Sequence, residues 1–271
     1  MTLPITFLHL TDLHISAPER GDETLNGDTL AALDAAIDRI AGMDFPPAFV
    51  AISGDLTHRG DPESYRLLAG RLERIAAPKV LALGNHDARG PFRAEILGQE
   101  GEAPFVHDGV IGGVHVIVLD TMVPGRIGGA LDAAQFAHLA AALDAQAGLP
   151  KIVVMHHPPA VDPDSDLIWH SLNPADTARL AEMIRGRVAG ILCGHVHVPR
   201  VSHWHGVPVV VGNGLHDLID PLTREGMRIM DATGFGLCTL RESGLTVEFV
   251  QLPHAGREVT RLSAETVRGF R

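Results

Sequence analysis

Seven side chains of metal-ligand type recur at one kind of position in this chain. Asp12, His14, Asp55, Asn85, His156, His195 and His197 each lie just beyond an apolar run. The runs are Ile5–Leu10, Phe49–Ile52, Val80–Leu83, Ile152–Met155 and Val188–Cys193, and each breaks off into Asp, His or Asn. A short apolar run bounded by turn residues reads as a buried strand. The carboxyl ends of strands are where ligands gather in open α/β sheets. Seven mixed oxygen and nitrogen donors exceed the three or four that a single zinc ion needs. They suit two adjacent divalent cations if one carboxylate is shared. A metal pair roughly 3.5–4 Å apart clamps both oxygens of an in-line phosphoryl displacement and makes water a nucleophile near neutral pH. The set holds no cysteine, so oxygen and imidazole donors point to Fe, Mn, Zn or Co rather than to thiolate-preferring metals. His86, in Gly84-Asn85-His86-Asp87, is a candidate acid or base beside that set.

The elements that must position these groups follow from pattern. Asp28 caps a helix whose Leu30, Leu33, Ile37 and Ile40 keep helical spacing. Asp61 followed by Pro62 starts a second, with Tyr65, Leu68, Leu72 and Ile75 on one face. The order strand, helix, strand, helix, strand up to residue 83 predicts a parallel sheet with crossover helices. Pro91–Leu97 reads as a short helix, and Phe105–Val110 with Val114–Leu119 as a hairpin around Gly112-Gly113. Asp132 and Asn173-Pro174 open two further helices, the first with Phe136, Leu139, Ala140 and Leu143 on its face and Gly148 at its end. From about residue 200 the texture changes. Val207–Val211, Arg228–Met230, Gly234–Leu240 and Leu245–Leu252 read as strands without intervening helices, expected to form antiparallel meanders that complete a second sheet. The tail 253–271 carries weak signals. With no repeat, low-complexity segment or linker, one domain over 1–271 is expected.

Composition narrows the function classes. The chain has 271 residues, 45% hydrophobic and 20% charged, an ordinary balance for a globular core. Aromatic content is 4%, so that core must be aliphatic. The net charge of -11 disfavours long nucleic acid and acidic membrane surfaces as partners, while bound cations would still admit a small anionic substrate. The two cysteines, Cys193 and Cys238, sit inside apolar runs and read as reduced, buried thiols. Met1–Leu10 has no basic leader, and no apolar run approaches the roughly 20 residues of a membrane span, so a cytoplasmic location is the expectation.

The motifs D-x-H, G-D, G-N-H-D, H and G-H-x-H appear in order as Asp12-Leu13-His14, Gly54-Asp55, Gly84-Asn85-His86-Asp87, His156 and Gly194-His195-Val196-His197. In this the chain resembles the calcineurin-like metallophosphoesterases over about residues 5–215. The texture Gly54-Asp55-Leu56-Thr57 and His156-His157-Pro158-Pro159 resembles the bacterial branch of class III cyclic-nucleotide phosphodiesterases and glycerophosphodiesterases. The resemblance implies a four-layer αββα sandwich of two mixed sheets flanked by helices. It implies that Asp12, His14 and His197 hold one metal, that Asn85, His156 and His195 hold the other, and that Asp55 bridges them. His86 would steady the transition-state charge and help protonate the leaving oxygen, with Asp87 orienting it by hydrogen bonding. The implied activity is a metal-dependent phosphodiesterase on small phosphodiesters, with 3′,5′-cyclic nucleotides the leading candidate. Phosphomonoesters, a DNA-end nuclease and a non-catalytic scaffold are the rivals, and a homo-oligomer through the strand-rich C-terminal part is one expected assembly.

Each group also has a plainer reading. Asp55 alone would be a turn aspartate. His9, His107, His115, His138 and His254 have no companion motif and read as structural, as does His157. His58, His203, His205 and His216 lie near motif loops and stay open between the two readings. The segment 160–172 is either a surface loop or a pocket wall in which Trp169 offers a stacking face. Replacing Trp169 by Ala is expected to impair hydrolysis of a nucleotide more than of a small diester. An equal, small effect on both would remove the stacking role.

Overall fold

The computed structural model describes residues 4–162, 165, 167–223 and 225–270. The first half follows the predicted alternation: β1 (Ile5–Leu10), α1 (Thr29–Ala41), β2 (Val50–Ser53), α2 (Pro62–Leu72) and β3 (Lys79–Ala82). The Asp28 and Asp61 side chains cap their helices by accepting from Ala31 N and Ser64 N. α3 (Arg89–Phe92) runs into a π-helical turn at Arg93–Leu97. There follow β4 (His107–Ile111), β5 (Val114–Val118), α4 (Ala133–Asp144), β6 (Lys151–Val154), α5 (Pro174–Ile184) and β7 (Gly190–Cys193). The last third holds β8 (Arg200–Trp204), β9 (Val207–Val211), β10 (Leu218–Ile219), β11 (Met227–Met230), β12 (Gly234–Arg241), β13 (Gly244–Gln251), β14 (Glu258–Leu262) and α6 (Ala264–Arg268).

The strands form a five-stranded sheet, β13-β12-β1-β2-β3, and a six-stranded sheet, β4-β5-β6-β7-β9-β8. A small third sheet is ordered β10-β11-β14. Both large sheets are mixed: β1, β2 and β3 are parallel, as are β5, β6, β7 and β9, with antiparallel strands at the edges. Neighbouring residues on one strand serve different layers, as the two-residue side-chain period requires. On β1, Leu8 and Leu10 pack beneath α1 and α2 with Leu33, Ile37 and Leu68, while Phe7 points the other way. On β6, Val153 packs with Leu139 of α4 and Leu180 of α5, and Ile152 and Val154 join Phe7. Three apolar layers therefore separate helices, sheet, sheet and helices, which is the αββα sandwich.

The C-terminal third departs from expectation in three ways. The β12–β13 hairpin does not complete a second sheet; β12 pairs antiparallel with β1 and extends the first. β9 is parallel to β7, and β8, unexpected from sequence, covers its far side with an alternating half-buried and exposed pattern. The tail, weak in sequence, supplies β14 and α6. Pairing partners of terminal strands are settled by long-range fit, which local patterning does not encode. Cys193 and Cys238 are both buried and free, as expected. Among the described residues no helix is long and apolar enough to cross a membrane.

Phe7 and Phe49 stack between the two sheets with ring centroids 4.6 Å apart, and both are fully buried. Phe7→Ala is expected to destabilise the fold by about 3–5 kcal/mol, read by urea unfolding. A loss below about 1 kcal/mol would show that this layer repacks freely.

Candidate metal centre and active site

The ligand-type residues come from both sheets. Asp12 and His14 follow β1, Asp55 follows β2 and Asn85 follows β3, while His156 follows β6 and His195 and His197 follow β7. Because these strands are parallel within each sheet, their carboxyl ends face the same way. The seven side chains meet there. The Asp55 carboxylate lies 3.5 Å from His14 Nε2 and 3.2 Å from His156 Nε2. Asp12 lies 3.3 Å from His197 Nε2 and accepts from His195 N at 3.0 Å. Asn85 Oδ1 lies 3.2 Å from His156 Nε2.

The backbone bends sharply to bring them in. Of the seven non-glycine residues with positive φ among those described, five are Asp12, His14, Asp55, His195 and His197. Asp and His tolerate this left-handed region better than most residues, yet each such position still costs on the order of 1 kcal/mol. Two motif glycines leave room for the same packing. A Cβ on Gly84 would stand 2.2 Å from Asp55 Oδ1, and one on Gly194 would stand 1.9 Å from Thr11 Oγ1.

Each imidazole is held by one nitrogen and presents the other. His156 Nδ1–H donates to the Ser53 carbonyl at 3.0 Å, and His195 Nε2–H donates to the Trp169 carbonyl at 2.8 Å. His197 Nδ1–H donates to Asp217 at 2.5 Å. His14 Nδ1 pairs with His58 Nδ1 at 3.2 Å, which leaves His14 Nε2 buried beside Asp55 with no hydrogen-bond partner. Second partners of this kind fix the tautomer of histidines that ligate metals. The orphaned Nε2 of His14, two buried carboxylates and three further imidazoles, two of them with Nε2 beside those carboxylates, suit cations. Asp12, His14 and Asp55 offer donor atoms within 4.8 Å of one another, as do His156, His157 and His195.

The electrostatics are those of a cluster short of positive charge. No Lys or Arg pairs with Asp12 or Asp55 among the described residues; histidines alone oppose them. Burial disfavours charge on His156, but the neighbouring Asp55 overcomes it and pushes the imidazole up to about 9. Burial likewise opposes charge on His197, and Asp12 and Asp217 hold it well above the usual range. On the other side, burial and then its imidazole neighbours His216 and His86 hold His14 well below that range.

Two assignments change. Asp87 does not orient His86: its carboxylate accepts from Leu56 N, Thr57 N, Gly84 N and the Tyr65 hydroxyl, tying the turns after β2 and β3 to α2. His86 is held instead through Nδ1–H, which donates to the His58 carbonyl at 2.9 Å, leaving Nε2 facing the pocket. His58 and His216, open in sequence, stand in the site, with rings 5.4 and 4.5 Å from that of His14. Burial lowers both to about 4, so both are neutral near pH 7. His58 Nε2 reaches Thr24 Oγ1 at 2.7 Å, and Asn26 N donates to His216 Nε2 at 3.1 Å. The 22–26 loop, featureless in sequence, is thereby pinned to the pocket rim. Asp217 was also missed; its position next to His216 was the available signal. His157 is held at both ring nitrogens, by the Thr121 hydroxyl at Nδ1 and by the Ile127 carbonyl at Nε2. Trp169 lines the cavity, although residues 163, 164 and 166 of its loop lie outside those described.

The chain is similar to known proteins in sequence and in fold. The family model for calcineurin-like phosphoesterases matches residues 5–199. A cAMP/cGMP dual specificity phosphodiesterase of Mycobacterium tuberculosis is 33% identical over 214 residues, 76% of this chain and 66% of that protein. The chain thus spans just under two thirds of that relative. The 3′,5′-cyclic adenosine monophosphate phosphodiesterase CpdA of Escherichia coli is 26% identical over 76% of each. Among solved structures, a purple acid phosphatase from yellow lupin has a TM-score of 0.66 at 16% identity, covering 95% of this chain and 53% of its own. A dimetal phosphatase from Danio rerio has a TM-score of 0.61 at 13% identity, covering 96% and 99%. The structural likenesses establish the fold alone. The family match runs from β1 past the end of β7, across every loop that delivers a ligand-type side chain to the cluster. By fold and by sequence, the chain belongs to the calcineurin-like phosphoesterases.

Proposed function

We propose that this protein is a dinuclear metal-dependent phosphodiesterase acting on small phosphodiesters, with 3′,5′-cyclic nucleotides as the leading substrates. One observation carries the reading. Four imidazoles, each fixed through one nitrogen, gather around the buried Asp12 and Asp55 carboxylates, and among the described residues no Lys or Arg neutralises them. Asp12, His14 and His197 would hold one cation, and Asn85, His156 and His195 the second, with Asp55 shared. Two divalent cations would supply neutralisation of the phosphate oxygens and activation of water. The names of the Mycobacterium tuberculosis and Escherichia coli relatives support a cyclic-nucleotide substrate.

The chain's own groups do the rest. His86, steadied at Nδ1 by the His58 carbonyl, presents Nε2 to the leaving oxygen and hands it a proton. The His86 backbone N–H donates to Asp55 Oδ1 at 2.8 Å, which sets the acid beside the shared carboxylate. Asp87 keeps the Asp55 and His86 loops in register through its bonds to Leu56, Thr57 and Gly84. The small phosphodiester enters a cavity of about 430 Å³, within the usual span of ligand pockets.

Asp55→Ala and Asn85→Ala are expected to lose bound metal, counted by elemental analysis, together with activity on cyclic AMP. His86→Ala should keep its metal and lose about 10²–10⁴-fold in rate. An active, metal-free Asp55→Ala protein would overturn the assignment. Asp87→Ala should lower stability by on the order of 3 kcal/mol, because several buried donors lose their acceptor. Unchanged urea unfolding would contradict that role. A side-by-side assay of cyclic AMP, glycerophosphodiesters and nitrophenyl mono- and diesters, with each metal reconstituted, tests the substrate class. Faster turnover of monoesters throughout would replace the diesterase reading.

A further inference from the structure

The pocket is polar on one side and apolar on the other. On the polar side His58 bonds to Thr24 and His216 to the Asn26 backbone, and among the described residues Arg59 is the one Lys or Arg lining the cavity. Arg59 is already bound to Asp22 at 2.5 Å. The opposite wall is formed by Trp169, Ile219, Met227, Ile229, Leu262 and Phe270, which also pack together as one cluster. This wall is assembled from the small sheet β10-β11-β14 and from the residues beyond α6, with Phe270 and Trp169 rings 5.4 Å apart. Its plainest role is a satellite core, and Met227, Ile229 and Trp169 are buried enough for that. Ile219, Leu262 and Phe270 are not; they are partly exposed and line the cavity. The Trp169 carbonyl is bonded to His195, so the wall adjoins the metal-ligand cluster directly. Apolar side chains held against water beside buried carboxylates are a net loss until something apolar covers them.

We propose that this wall is a subsite for the organic group of the phosphate ester, and that it selects an uncharged, ring-sized apolar group over a small hydroxylated one. The inference rests on the phosphoesterase reading of the site and adds the chemical class of the ester group. A glycerol group placed on this wall would find apolar side chains where its hydroxyls need partners. Phe270 and Ile219 are then specificity-determining residues supplied from outside the 5–199 span that the family shares.

Binding to the metal-loaded protein, measured by calorimetry, tests this with two phosphonates that cannot be hydrolysed: phenylphosphonate and 2-hydroxyethylphosphonate. The wild type should bind the phenyl compound about tenfold or more tightly, the scale on which apolar pockets discriminate. Phe270→Ala and, separately, Ile219→Ser should each shrink that preference several-fold while leaving 2-hydroxyethylphosphonate affinity unchanged. Both positions are partly exposed, and a thermal melt checks that each variant folds. Equal affinities in the wild type, failure to bind phenylphosphonate, or a preference intact in both variants would overturn the subsite. Hydrolysis of bis(4-nitrophenyl) phosphate by the same metal-loaded wild type is scored separately. Hydrolysis without a phenyl preference removes the subsite alone; a phenyl preference without hydrolysis removes the catalytic reading and leaves the subsite.

Discussion

Two carboxylates taken out of water at the ends of neighbouring strands set the terms for the rest of this molecule. Asp12 and Asp55 are both almost fully buried, and among the described residues their ion-pair partners are histidines alone. Burying such charge is tolerable only where opposite charge and hydrogen bonds answer it. Backbone amides answer part: His195 N donates to Asp12, and His86 N to Asp55. The remainder falls on imidazoles whose tautomers are dictated from outside, by carbonyls of Ser53 and Trp169 and by Asp217. This demand explains the strained φ values and the glycines that let Asp55 and Asp12 approach neighbouring loops.

The two-sheet architecture is what makes that concentration of charge feasible. A single sheet offers a row of strand ends; two sheets packed face to face offer two rows separated by one apolar layer. Asp12, Asp55 and Asn85 arrive from one row, and His156, His195 and His197 from the other. The layer between them, built on Phe7, Phe49, Val116 and Val154, fixes their separation because a close-packed aliphatic layer does not slide easily. Buried polar ties then lock the loops. Asp87 gathers the turns after β2 and β3, and His58 bonds to His14 through its ring and to His86 through its carbonyl. Precision at the site thus comes from rigid strands and from side chains that tie one loop to the next.

Charge is distributed unevenly around the cavity. The molecule is acidic overall, at -11, yet the pocket rim carries imidazoles on one side and aliphatic and aromatic groups on the other. A small ester can be held by local groups there, whereas a long polyanion meets a repulsive surface. Apart from Trp169, the apolar wall is contributed by the C-terminal third, the part of the chain in which the fold differed most from the sequence expectation.

The seven ligand-type residues were legible in sequence because each ends a short apolar run bounded by turn residues, which marks the end of a buried strand without coordinates. The capped helices at Asp28, Asp61, Asp132 and Asn173 were legible for a similar reason: a cap and its helix lie within four residues of each other. Asp87 was misread because sequence adjacency to His86 says nothing about which way two consecutive side chains point. His58, His216 and Asp217 depended on loops more than a hundred residues apart meeting at one rim. The β12–β13 hairpin found its place on β1 rather than in the second sheet, and Phe270 reached Trp169, through contacts spanning most of the chain. Local composition sets strands, helices and their polar tips; which tips and tails share a cavity is decided by tertiary packing, since side-chain periodicity carries no information about partners distant in sequence.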